Sequence, residues 1–460
     1  MAHDGATLFG RPIDRRELLA LTGKVLAGGT VAGMWLSPEL AGYVYAAARG
    51  EATGGSVTVM KQYSPVLAQY KSFLPQFTKE TGIQITLDDQ NYANQYQKIA
   101  TQGQSGTAGD DVVEIDTIWA GSFAAARFTV DLTDFLPAAV QKRIIGPSLA
   151  SVGYKGKLYG VPEYNSSKHF YYNVKMLSSV GLNRPPTTLD ELLHFCEVIK
   201  ANRGKLGIQY PMSWSWKQFE GLTCDYVQMT DSLGGRFYAT DNVTPAFNKG
   251  AGVQALTMMK MMLDRGYAAP GSLSHDETGA ENDLLAGKTA MCTSWEGIMS
   301  RSIDPKQTSK EVLGQVRLAL IPGSAGRKSG SCLGPEGWAI MKVSPNQTQA
   351  KAFINWWIST KTQIGMTQNF DLLPIYSSLY TDPGLRALSR KTDGQDTFPT
   401  YGAQFSYAQP RPNFPGYVDA SNRLQVHLHK AFLGQETPQK ALDNAVAEMK
   451  AGGASGGNNP

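Results

Sequence analysis

Glu163 and Glu296 are the side chains whose type most readily suggests catalysis: glycosides are cleaved between two carboxyls, one giving a proton and the other attacking or activating water. Nothing in the sequence brings these two to the separation that chemistry needs. The other catalytic patterns are missing. There is no nucleophile elbow between a strand and a helix, and no HExxH zinc helix. Gly323-Ser324-Ala325-Gly326-Arg327-Lys328-Ser329 has the residue types of a phosphate loop. It lacks the spacing, which puts four residues between the glycines and a glycine directly before the lysine. His427 and His429 stand two apart in a helical stretch, so they face different ways and do not share a metal. Asp88-Asp89 and Asp110-Asp111 read as strand termini rather than acid/base pairs. The expectation is a chain that is not an enzyme and needs neither cofactor nor metal. Recognition chemistry remains: eight Trp, twenty Tyr and seventeen Phe can line a stacking site as well as a core.

Those residues have to be positioned by a chain of 460 residues, which is two or three domains at roughly 150 residues each. Charge is nearly balanced, 43 Lys and Arg against 39 Asp and Glu, with no basic block. That excludes nucleic acid as the main partner, since phosphate binding needs a concentrated basic face. Residues 1–48 read as an address. Asp14-Arg15-Arg16-Glu17-Leu18-Leu19 resembles a twin-arginine export signal, a Gly-diluted apolar stretch follows, and Ala46-Ala47-Ala48 offers small residues for cleavage. An uncleaved anchoring helix is the alternative. No Cys lies near the cleavage region to carry a lipid. Cys196, Cys224, Cys292 and Cys332 allow three disulfide pairings, and none belongs to a CxxC.

Beyond the Gly-rich joint at residues 50–55 the pattern alternates between strand and helix. Strands are expected at 56–60, 83–87 and 112–115, with helices at 65–81 and 93–102, implying a mainly parallel sheet with right-handed crossovers. A second α/β unit begins near residue 170. It has helices at 188–202, introduced by Pro185-Pro186 and a Thr cap, and at 252–265. A strand at 316–320 and helices at 347–359, 418–433 and 438–450 complete the α/β pattern, and the Gly/Asn/Ser-rich tail 451–460 reads as disordered.

Three passages resemble one family, the extracellular solute-binding proteins of sugar ABC transporters. The first is Gly156-Lys157-Leu158-Tyr159-Gly160-Val161-Pro162, then Phe170-Tyr171-Tyr172-Asn173-Val174-Lys175-Met176-Leu177, Val180-Gly181-Leu182 and Pro185-Pro186-Thr187-Thr188-Leu189-Asp190-Glu191-Leu192. The second is Leu285-Ala286-Gly287-Lys288-Thr289-Ala290-Met291 leading to Trp295. The third, Arg411-Pro412-Asn413-Phe414-Pro415-Gly416-Tyr417 followed by Leu433-Gly434-Gln435-Glu436-Thr437-Pro438, is similar to the C-terminal passage of trehalose/maltose-type members. The passages run in the family's order from about Ser56 to Lys450. The resemblance implies two hinge-linked α/β lobes of the periplasmic-binding-protein kind with a ligand cleft between them. Lobe one would be 52–163 plus 297–360, and lobe two 166–294 plus 364–450.

It also implies the function: an exported, periplasmic and monomeric receptor that captures a sugar-like solute by lobe closure and delivers it to a membrane permease. The alternatives are a receptor for a charged solute such as a phosphodiester or polyamine, and an exported carbohydrate-active enzyme. A sugar needs flat aromatics against its ring and carboxylates, amides or Arg around its hydroxyls. By the resemblance these would be Asp116 and Trp119 after the third strand, Trp295, Gly337-Trp338, and Arg411 on its Pro-flanked loop. Tyr63 after the first strand and Tyr164 near the first lobe crossing join them. Ser166 occupies the position where sugar-binding members often carry an acid, so the trehalose/maltose ligand does not transfer directly. Trp214 and Trp216 are expected on a surface loop.

Overall fold

The computed structural model describes residues 7–8, 11–12, 54–62, 67–392 and 394–452. Most of the export-signal segment, Tyr63 and the tail beyond residue 452 lie outside the described residues. The chain divides into two compact units. The first runs to Glu114 and adds Phe128–Val130 and Trp338–Asn369; the second comprises Ile115–Arg127, Asp131–Gly337 and the chain from Phe370 onward. Among the described residues, no helix is long and apolar enough to cross a membrane.

The first unit is built on parallel strands. Ser56–Gln62 pairs along its length with Gln84–Gln90, Val57 opposite Ile85, and on its other side with Val112–Asp116, Val59 opposite Val112. Val57, Val59, Val112 and Val113 are fully buried, as β-branched runs in covered parallel sheets are. Helix Gln347–Trp357 supplies Phe353 and Trp357 to this core. Tyr70 stacks on Trp357 at 5.4 Å and 13°, and Phe77 meets Phe353 edge-on at 5.5 Å. Residues 65–81, expected as one helix, form two: Leu67–Phe73 and Pro75–Thr81. Pro75 has no N–H to continue the ladder and opens the second helix instead. That helix ends at Gly82, whose φ of 76° lets its N–H turn back to the Thr78 carbonyl. Asp111 holds the start of its strand by accepting from Thr58 N at 2.8 Å and Ser344 Oγ at 2.6 Å.

The second unit has a mixed sheet, ordered Tyr210–Ser213, Thr289–Ser294, His169–Asn173, Val316–Ala319. The first pair is parallel and the other two are antiparallel. Helix Leu189–Ala201 begins where Thr188 Oγ1 accepts from Glu191 N, as the cap residues require. Helix Glu220–Ser232 runs through the interior with every residue from Gly221 to Ser232 buried. Beside it packs helix Tyr417–Phe432, and Pro438–Ala451 packs in turn on Tyr417–Phe432 and on Ala251–Asp264. Trp214 and Trp216 are core residues rather than loop residues: they stack on each other at 5.3 Å, and Trp216 stacks on Phe432 at 4.9 Å and 14°. They are only 1% and 0% exposed. All four cysteines are buried free thiols, so none of the three possible pairings is present.

Trp216 has a ring on both faces, so its truncation leaves a cavity that neither neighbour can fill. Trp216→Ala is expected to lower unfolding stability by about 3–5 kcal/mol, measured by denaturant titration of the mature chain.

Candidate functional site

Two polar clusters of the second unit contain Asp116, Arg411, Ser166 and Trp295, four of the nine binding residues singled out in the sequence. The first begins at Asp116, the last residue of strand Val112–Asp116. Its carboxylate caps the turn Thr117–Trp119 by accepting from Ile118 N at 3.3 Å. It also receives Arg411 through two bonds, Nη2 to Oδ1 at 2.9 Å and Nη1 to Oδ2 at 3.3 Å. Arg411 Nη1 further reaches Glu220 Oε1 at 2.9 Å, and Glu220 accepts from Ser421 Oγ at 2.6 Å and Tyr417 Oη at 3.1 Å. The side chains of Arg411, Asp116 and Glu220 are 3%, 7% and 12% exposed. Two carboxylates therefore share one guanidinium away from water. Burial works against the charge on Arg411, but Asp116 foremost, with Glu220, more than offsets it and raises the pKa well above its ordinary value. For Glu220 burial prevails and the pKa is raised. Among the described residues, Arg411 Nε has no hydrogen-bond partner.

The second cluster surrounds Trp295, which follows strand Thr289–Ser294 and is partly exposed. Tyr171 Oη donates to the Trp295 carbonyl at 2.8 Å, and the indole Nε1 donates to Glu277 Oε1 at 3.2 Å. Lys168 Nζ lies 5.1 Å from the ring centre, within cation–π range. Lys168 is itself fully buried, paired with Asp225 Oδ1 at 2.8 Å and bonded to Ser215 Oγ at 3.1 Å. Asp225 and Glu277 hold it charged against the opposing effect of burial. Close approach is built in at two glycines. A Cβ at Gly334 would come within 2.6 Å of the Trp295 ring, and one at Gly221 within 2.5 Å of Glu277 Oε1. Next in sequence to Trp295, Glu296 accepts from Ser166 Oγ at 2.8 Å. Burial with so little compensation pushes the Glu296 carboxyl up to about 8.

Asp116 and Arg411 are thus in direct contact, and Ser166 and Trp295 are linked through Glu296. Tyr164 donates to Glu336 Oε2 at 2.9 Å, one residue before Gly337. A Cβ at Gly337 would lie 2.8 Å from Val152. Trp119 is 2% exposed and packs edge-on against Phe123 at 6.2 Å. Trp338 belongs to the first unit, 1% exposed, with Phe353 at 5.3 Å and Trp357 at 5.4 Å, both edge-on. Tyr63 lies outside the described residues. Sequence reasoning did not pick out Glu220, Asp225 or Glu277. The position of Glu277, just after the capping Asp276 of helix Glu277–Leu285, was its only local signal.

Residues 73–389 match the family described as bacterial extracellular solute-binding proteins. A probable ABC transporter-binding protein of Deinococcus radiodurans is 26% identical over 276 residues, covering 59% of this chain and 64% of that protein. The chain thus spans somewhat less than two thirds of that relative. Among solved structures, an ABC transporter solute-binding protein of Agrobacterium radiobacter K84 in complex with ribitol has a TM-score of 0.74 at 27% identity, covering 86% of this chain and 98% of that one. The maltose-bound MalE3 of T. maritima has a TM-score of 0.76 at 23% identity, covering 86% and 99%.

The Glu296 carboxyl holds its proton more tightly folded than unfolded, so its contribution to stability is full below about pH 4.5 and is lost as pH rises through about 8. Between pH 5 and pH 8, Glu296→Gln is expected to gain on the wild type by about 1–3 kcal/mol, then level off, in denaturation curves taken across that range. Arg411→Met would strand two carboxylates and is expected to cost about 3–5 kcal/mol at pH 7, read by the same method.

Proposed function

Because the chain belongs to the bacterial extracellular solute-binding proteins, we propose that it is the receptor of an ABC importer, exported through the twin-arginine-like segment 1–48. It captures a sugar or polyol outside the cytoplasm and hands it to a membrane permease. The observation that carries this reading is Trp295: a partly exposed indole with its edge, its carbonyl and its vicinity fixed by Glu277, Tyr171 and Lys168. A fixed aromatic wall flanked by carboxyls and a hydroxyl suits the apolar face and hydroxyl rim of a saccharide. The maltose and ribitol held by the two solved structures described above favour the same ligand class.

In this reading Asp116, Arg411, Tyr164, Ser166 and Trp295 contact the ligand, with Tyr63 and the neighbourhood of Trp119 and Gly337-Trp338 completing the site. Lobe closure about the crossings near residues 163–166, 294–297 and 360–364 is the transport signal. The lobes are those read from the sequence, 52–163 with 297–360 and 166–294 with 364–450. Contacts available only in the closed form shift the population toward it, and the permease reads that form. The receptor acts as a monomer, without catalysis and without a cofactor or metal.

A thermal-shift screen of the chain from Arg49, against mono-, di- and oligosaccharides and polyols, tests this directly. A ligand at a hundred times its Kd is expected to stabilise the protein by about 2.7 kcal/mol, and Trp295→Ala is expected to weaken binding at least tenfold, about 1.4 kcal/mol. Turnover of a glycoside abolished by Glu296→Gln would overturn the receptor reading in favour of an exported carbohydrate-active enzyme.

A further inference from the structure

We propose that Cys224 and Cys332 are a disulfide site: in an oxidising compartment they join helix Glu220–Ser232 to strand Ser331–Leu333, while Cys196 and Cys292 stay free thiols. The inference concerns the covalent frame of the second unit and does not depend on which solute is bound.

Strand Ser331–Leu333 runs along one face of that helix, and contacts on either side of Cys332 fix its level. Glu220, Cys224 and Asp231 share the face, since steps of four and seven residues nearly complete whole turns of 3.6. At one end Ser331 N donates to Asp231 Oδ2 at 3.0 Å. Gln409, opposite Cys332 in the strand pair, donates through Nε2 to Asp231 Oδ1 at 2.8 Å. At the other end Leu333 is opposite Pro410, and the next residue, Arg411, reaches Glu220 Oε1 at 2.9 Å. Cys332 thus lies between the levels of Asp231 and Glu220, where Cys224 stands one turn into the helix. The two thiols are hydrogen-bond neighbours, and both act on the Arg411 guanidinium. Among the described residues the other two cysteines have no such neighbour. Cys196 faces Glu197, and Cys292 lies among Glu281, Lys168, Asp225 and Arg301.

The step is a thiol–disulfide exchange with a low-molecular-weight or protein disulfide as oxidant. One cysteine attacks the oxidant's disulfide as a thiolate and expels one of its sulfurs as a thiol; the second attacks the mixed disulfide and expels the other. One S–S bond forms in the chain, one breaks in the oxidant, and two electrons with two protons pass to the oxidant. Burial, with the adjoining thiol, keeps Cys224 protonated in the folded chain, and a buried thiol is a poor nucleophile. The bond is therefore made while the unit is folding or transiently open, and closure then shields it, since both sulfur-bearing residues are buried. More than a hundred residues separate the two. The cross-link closes a long loop, the case in which it restricts the unfolded chain most.

The test is a thiol map of the full chain. It is reduced and unfolded, refolded in mixed oxidised and reduced glutathione, alkylated in denaturant, and digested for mass spectrometry without reduction. Alkylated Cys196 and Cys292 are expected, with one cross-linked peptide pair holding Cys224 and Cys332. The oxidised chain should melt several degrees above the same chain refolded in dithiothreitol, and Cys224→Ala/Cys332→Ala should abolish that difference. The map itself needs no variant, so it decides the matter even where the double variant does not fold. The same map is expected of the exported chain alkylated at harvest, which covers a failure to refold. Four alkylated cysteines, or a cross-link through Cys196 or Cys292, overturns the inference and leaves the receptor reading standing.

Discussion

A carboxylate taken out of water must be met by a cation, by hydrogen-bond donors or by a proton. Much of the second unit is arranged by that requirement. Asp116 ends one strand, Glu220 opens the interior helix and Arg411 sits on a loop between prolines, so one guanidinium fastens three segments that are far apart in sequence. Lys168 does the same between the strand passage near His169 and Asp225 in the middle of that helix. At Glu296, where the Ser166 hydroxyl offsets burial only in part, the proton is held more tightly instead. A helix as polar as Glu220–Ser232 can be buried on all sides only because its acids are answered in this way.

The same interactions leave Trp295 with little freedom. Its carbonyl is held by Tyr171, its indole nitrogen by Glu277, and its ring lies against the backbone at Gly334. A ligand meeting a wall already in place loses less free energy to ordering side chains than one that has to assemble it. Lys168 and Arg411 are paired with the internal carboxylates Asp225, Asp116 and Glu220, which fixes the side chains beneath and beside this ring.

The sequence carried the regular elements well where periodicity is strong. The strand at Ser56–Gln62, the helix at Leu189–Ala201 with its Thr188 cap, and the C-terminal helices all lie within a few residues of their expected places. It failed at helix Glu220–Ser232, because a helix buried all round has no amphipathic stripe to detect. It misplaced Trp214 and Trp216 because two tryptophans among serines look like a loop, while the ring that stacks on them, Phe432, is over two hundred residues away. The antiparallel pairing of the second sheet was equally invisible, since strand order is a long-range choice. Asp116, Trp295 and Arg411 were singled out through the passages that resemble the family, and Ser166 as a departure from them; the structure sets them in the two polar clusters. Their partners Glu220, Glu277 and Asp225 were not singled out, because each is defined by a contact across the fold rather than by its neighbours in sequence.

The central claim is that a solute binds against Trp295 within the second unit. Hydrogen–deuterium exchange, recorded with and without a saturating ligand from the screen, locates that binding without any mutation. The account predicts slower exchange in the peptides containing Ser166, Trp295-Glu296, Glu220-Gly221 and Arg411. Protection elsewhere in the chain with those four peptides unchanged would contradict it.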